Sequence, residues 1–166
     1  NALSGLQKSC QFNILQDHVG LISVAHQAVL RLSSFSNMVD MKTTHTSLPF
    51  AGHTLHFVEF DPASFREQDL LWLPHYAQLQ HAGRKRKTEH LAGRIAAIYA
   101  LREYGYKCVP AIGELRQPVW PAGVYGSISH CGTTALAVVS RQPIGIDIEE
   151  IFSAQTAREL TDNIIT

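Results

Sequence analysis

The sequence predicts a fold built of strands and helices together, and three stretches carry that expectation. Thr54 to Asp61 alternates apolar and polar residues, the period of a half-buried strand, and Pro62 ends it. Lys87 to Tyr104 places Leu91, Ile95, Ile98 and Leu101 on one helical stripe, with small Ala92, Gly93, Ala96 and Ala97 allowing close packing. Gly126 to Glu150 reads as two apolar strands joined through Gln142-Pro143 and ending in carboxylates at spacing two.

A chain of 166 residues suffices for one ordinary domain, or for two small ones sharing a core. Its formal charge balances at zero, so no global field draws it to nucleic acid or to an anionic membrane. The cysteines Cys10, Cys108 and Cys131 are scattered, odd in number and without metal spacing, which fits reduced thiols in the cytoplasm better than a disulfide framework. No apolar run reaches the roughly 18–20 residues of a membrane span.

Taken in order, residues 1–37 differ from the rest. Val19 to Leu32 has roughly helical apolar spacing, and Ser33 to Asn37 reads as a linker. With Met38 and Met41 following at once, residues 1–37 are expected to be an upstream extension, weakly ordered or loosely docked; a helical hairpin packed on the domain is the alternative. Phe65 to Tyr76 has helix spacing interrupted by Pro74. His53, His56, His75 and His81 lack ligand spacing beside a cysteine or carboxylate cluster, so they are expected at the surface or at caps rather than on a metal.

Four consecutive cations, Arg84 to Lys87, open the long helix, where free backbone N–H groups already favour an anion. They oppose the helix dipole unless a bound anion offsets them, although a solvated basic face is the ordinary reading of such a run. Arg94, on the same helix between Gly93 and Ile95, is a further candidate, and Gly105 is the expected stop. Ile112 to Gly123 is loop-like, with Glu114 and Arg116 placed for local pairing and Trp120 for packing. Tyr125 to His130 follows as a strand with Ser127, Ser129 and Cys131 on one face and Ile128 and His130 on the other; alone, His130 reads as a core histidine. Asp147 and Glu149 share a strand face while Ile146, Ile148 and Glu150 take the other, and two hard oxygen ligands after a Gly-bracketed turn suit a magnesium ion carrying phosphates. Thr156 to Ile165 begins a further helix, and the chain stops at Thr166 as though cut short.

The order of these pieces (basic cluster, Gly93-Arg94, Gln117-Pro118-Val119-Trp120, Ser127-Ile128-Ser129-His130, Gly145-Ile146-Asp147-Ile148-Glu149) resembles the 4′-phosphopantetheinyl transferases of the Sfp type, from about Met38 onward. Within them the likeness is to the siderophore-synthesis members of enteric bacteria. The resemblance implies an α+β fold, a pseudo-dimer of two similar halves with coenzyme A and magnesium between them. Residues 38–142 would form the first half and 143–166 the start of the second. It implies transfer of the phosphopantetheine arm of coenzyme A to a serine of a carrier-protein domain of siderophore or other non-ribosomal peptide synthesis. Asp147 and Glu149 would bind the metal and, with His130, form the catalytic set. His130, Arg84, Arg86, Lys87, Arg94 and Ser129 would hold coenzyme A, the arginines and Lys87 on its 3′-phosphate side and Ser129 by the nucleotide.

One departure matters. The family carries a further acidic residue and a lysine in a Trp-x-x-Lys-Glu helix, and neither Glu150 nor Glu159 replaces it, so this chain alone is expected to transfer poorly and to expose an apolar surface. The competing expectations are a coenzyme A-binding module without catalysis and a nucleic-acid-binding domain using the Arg-Lys-Arg-Lys helix start. Neutral charge and the paired carboxylates oppose the latter.

Overall fold

The computed structural model describes residues 9–14, 18–23 and 39–151, with side chains described for residues 39–148. Its centre is a four-stranded antiparallel sheet formed by β3 (Thr43–Phe50), β4 (His53–Phe60), β8 (Thr134–Ser140) and β7 (Tyr125–Cys131), in that spatial order. Two-residue turns make both hairpins. Ala51 and Gly52 take φ of 51° and 80°, a turn whose twist matches the strands, and Gly132 at 59° starts the β7–β8 turn. All seven residues of β8 are buried, because the strand is covered on both faces. Ala135, Ala137 and Val139 face one core cluster, and Leu136 and Val138 face a second. This is why Thr-Ala-Leu-Ala-Val-Val-Ser reads as an unbroken apolar run rather than an alternation.

The first face receives α1 (Arg84–Arg102). Burial is continuous from Leu91 to Leu101 and is not confined to one stripe. The reason is that the helix is also covered from outside by Phe65, Leu70, Leu73 and Leu79 of the segment that precedes it. Small residues permit the close approach: a Cβ on Gly93 would come 2.9 Å from Ile128 Cγ2. The helix ends as expected at Gly105, φ 83°, with the Tyr106 N–H returning to the Leu101 carbonyl.

Where spacing predicts a helix over Phe65–Tyr76, the chain instead forms three short 3₁₀ turns, Pro62–Ser64, Glu67–Trp72 and Tyr76–Leu79. Asp69 organises them. Buried, it accepts N–H bonds from Asp40 (2.7 Å), Met41 (3.1 Å) and Arg66 (3.0 Å), tying the start of the domain to this belt. After α1, β5 (Ala111–Ile112) and β6 (Pro118–Val119) make a minimal hairpin inside the region expected to be loop. Trp120 packs as expected, so close to Gly126 that a Cβ there would lie 2.5 Å from the indole.

The second face receives β9 (Ile146–Ile151), whose Ile146 and Ile148 join Leu55, Phe57, Leu136 and Val138. It pairs with β1 (Ser9–Ile14), which pairs with β2 (His18–Ser23), so a three-stranded antiparallel sheet of order β2-β1-β9 results. The helical spacing read from Val19 onward is therefore not realised over Val19–Ser23, where Val19, Leu21 and Ile22 are strand residues. Backbone pairing to a neighbouring strand outweighs a weak helical period. The remainder of residues 1–38, and the helix expected over Thr156–Ile165, lie outside the described residues. Among the described residues no helix is long and apolar enough to cross a membrane.

Candidate functional site

The site forms where β9 crosses the edge strand β7. No backbone ladder joins them directly; serine hydroxyls do. Ser127 Oγ accepts the Ile146 N–H at 3.1 Å and Ser129 Oγ accepts the Ile148 N–H at 3.2 Å. The alternation Ser-Ile-Ser thus serves two purposes, putting Ile128 into the helix-side core and lining the opposite face with acceptors. Asp147 is exposed at the crossing. Its Oδ1 accepts the Ile148 N–H at 3.1 Å and the Ser129 hydroxyl at 3.2 Å, so the carboxylate is oriented by two donors. With Ile146 and Ile148 both buried, Asp147 takes the outward face of β9 by strand alternation, and the side chain of Glu149 lies outside the described residues.

His130 occupies the other face of β7. Its imidazole is 46% exposed, with Nδ1 3.7 Å from Oε2 of Glu89 on α1. It is an accessible group at the mouth of the helix–sheet junction, not the core histidine that its strand position alone implies. Asp147 and His130 therefore flank the β7 edge from its two sides.

The basic cluster is divided by the fold. Arg84 donates to the carbonyls of Pro62 (3.0 Å) and Phe65 (2.8 Å), with its guanidinium over the Phe65 ring. Lys87 is buried and pairs with Glu67 at 2.7 Å. Arg94 is 5% exposed and donates to the carbonyls of Pro110 (2.8 Å) and Ala111 (3.1 Å), fastening the helix to β5. Burial lowers its pKa to about 10, which leaves it a cation at neutral pH. Arg86 faces another way, into a cleft of about 500 Å³ that it shares with His81, Glu114 and Arg116. Arg116, read from the sequence only as a local partner for Glu114, is held there in the left-handed region, φ 65°, by the Gly113–Gln117 turn. Glu89 beside His130 was equally unmarked, since nothing in its spacing singles it out.

Two of the histidines expected at surface or caps are buried: His56 at 3% exposed, and His75 at 8%, although His75 does occupy the N-cap position of the Tyr76–Leu79 turn without a capping side-chain bond. Each is matched with a second imidazole, His56 with His45 at 2.9 Å and His75 with His90 at 2.8 Å. Mutual hydrogen bonding is what lets them be buried. Among the described residues no group of three His, Cys, Asp or Glu side chains converges as a metal cluster. The described carboxylate that fits a magnesium ion is Asp147, since that ion needs only one or two carboxylates beside phosphate and water.

With this geometry in hand, residues 75–140 match the 4′-phosphopantetheinyl transferase N-terminal domain. Over this stretch the chain is similar to the 4′-phosphopantetheinyl transferases. It is 96% identical over 126 residues to enterobactin synthase component D of Escherichia coli, covering 76% of this chain and 61% of that protein. Identity to the component D of Salmonella typhimurium is 67% over 125 residues, 75% of this chain and 53% of that protein. The 4′-phosphopantetheinyl transferase PptT of Mycobacterium tuberculosis is 37% identical over 70 residues, 39% of this chain and 31% of its own length. The chain thus spans about 61% of the Escherichia coli relative. The α+β fold expected for a phosphopantetheinyl transferase stands.

Proposed function

We propose that this chain supplies the coenzyme A- and magnesium-binding part of a 4′-phosphopantetheinyl transferase acting on a carrier protein of enterobactin synthesis. The oriented carboxylate of Asp147 at the β7 edge, with His130 exposed on the other side of that strand, carries the reading. The reaction moves the phosphopantetheine arm from the coenzyme A diphosphate to a serine hydroxyl and releases adenosine 3′,5′-bisphosphate. Asp147 and Glu149 hold the ion, which when bound neutralises charge on the diphosphate. Ser129 fixes the Asp147 rotamer, so the carboxylate needs little reorganisation.

The His130 imidazole, its Nδ1 3.7 Å from the Glu89 carboxylate, contacts a phosphate on the helix side. Arg86 and Arg116, facing one cleft, take the 3′-phosphate side of the ligand. Arg84, Lys87 and Arg94 act differently in this reading: their protein contacts hold α1 and β5 where those two arginines converge.

Isothermal titration of the chain with coenzyme A tests this, reading binding rather than turnover. Magnesium-dependent binding is expected, weakened at least tenfold by Asp147→Asn. Arg86→Ala should weaken coenzyme A by about 10- to 100-fold, the worth of a charge-assisted hydrogen bond, while leaving 3′-dephospho-coenzyme A nearly unchanged. Binding indifferent both to magnesium and to Asp147→Asn would overturn the reading.

A further inference from the structure

The far end of α1 from His130 carries a second cleft, of about 620 Å³. Glu89, beside His130, and Arg102, which lines this cleft, lie about 20 Å apart along the helix axis at about 1.5 Å per residue. The chain forms the cleft by turning back at Gly105. Its φ of 83° reverses the direction of the chain, and its missing side chain leaves the space open, since a Cβ there would meet nothing within 4 Å. Lys107 to Val109 then return beside the last turns of the helix. Ile98, Val109 and Trp72 give the cleft its apolar lining, Ile98 buried and the other two half-buried against the first core. Trp72 adds an aromatic surface on which a second ring can stack.

Two cations, Arg102 and Lys107, line the same cleft, both exposed, and among the described residues that line it none is acidic. Glu103, next along the helix, turns its carboxylate to His56 of β4, 2.9 Å away. A helix C-terminus ordinarily disfavours an anion. Here the Leu101 carbonyl accepts from the N–H groups of Tyr104 and Tyr106, and the Arg102 carbonyl from that of Gly105, so these oxygens are already engaged. An apolar lining with an aromatic member, charge of one sign and room for a small molecule together define one ligand class. We propose that this cleft binds an aromatic carboxylate, its ring against Trp72 and its carboxylate between Arg102 and Lys107. The site stands apart from the metal and coenzyme A reading above and does not rest on it.

Isothermal titration of the whole chain with naphthoate is compared with neutral naphthalenemethanol and cationic naphthylmethylamine. Naphthoate is expected to bind about tenfold more tightly than the alcohol, the worth of a charge-assisted hydrogen bond. Lys107→Glu, at an exposed position, should weaken naphthoate about tenfold and strengthen the amine. Opposite signs for two probes of one shape cannot arise from unfolding. Saturating naphthoate should also slow iodoacetamide alkylation of Cys108, whose exposed thiol lines the cleft, and leave coenzyme A affinity unchanged. The inference falls if the acid and the alcohol bind alike, or if Lys107→Glu moves both charged probes the same way or neither. It falls equally if Cys108 is not protected or coenzyme A displaces the probe. Absence of naphthoate binding at millimolar concentration removes it outright.

Discussion

Buried imidazoles set the acid limit of this protein. His45 and His56 are held down to about 4, His45 by burial and then by its neighbour, His56 by burial alone. His90 falls to about 3 through burial and then the charges of Arg94, His75 and Arg86, and His75 is lowered by burial and Arg94. In the unfolded chain each returns to the ordinary value near 6.5, so below that pH the unfolded state binds more protons than the folded one. Stability is complete above pH 6.5 and is lost as pH falls toward 4, and further toward 3 for His90. Glu103, 2.9 Å from His56 and raised by burial, offsets part of this on the acid side. Thermal midpoints measured from pH 7.5 to 4 should fall below about 6.5, and His56→Gln should flatten the slope. At Gly126 the limit is space: Gly126→Ala drives a Cβ into Trp120 and should cost about 1–3 kcal/mol in urea unfolding.

At the scale of the element, α1 was the most legible part of the chain. Its small residues and Gly105 stop follow from helical period and capping alone. What its sequence hid was the use of its cations. A run of four reads as one patch, but successive helical positions point about 100° apart, so Arg84, Arg86 and Lys87 reach different neighbours. Arg94, which the family resemblance sets against coenzyme A, donates to the carbonyls of Pro110 and Ala111. Arg94→Met should therefore cost about 1–3 kcal/mol of stability by leaving those buried acceptors without a donor. Coenzyme A affinity should drop only through displacement of β5. Strand β9 shows the converse. Its alternation was plain, but its attachment through Ser127 and Ser129 side chains has no periodic signature.

For the molecule as a whole, one sheet carries two cores, and the strand that bears the candidate metal-binding carboxylate is seated in only one of them. Ile148 anchors β9 in the second cluster, whereas Leu73 belongs to the first. Both Ile148→Ala and Leu73→Ala should cost about 2–5 kcal/mol. Only the former should lower manganese affinity of the still-folded protein, because only β9 carries the carboxylates. A calorimetric scan paired with a manganese titration separates the two effects.

Local patterns determined the strands, the long helix, the paired acids at spacing two and the ordered motifs of the family, since each is written in residues close along the chain. Packing decided what no short window contains. It set which cations are spent on carbonyls, which histidines pair in the interior, and that β1 lies against β9. Those outcomes depend on contacts between residues 11 to 142 positions apart, from His45 with His56 to Ser9 with Ile151, whose energies exist only once the sheet has brought them together.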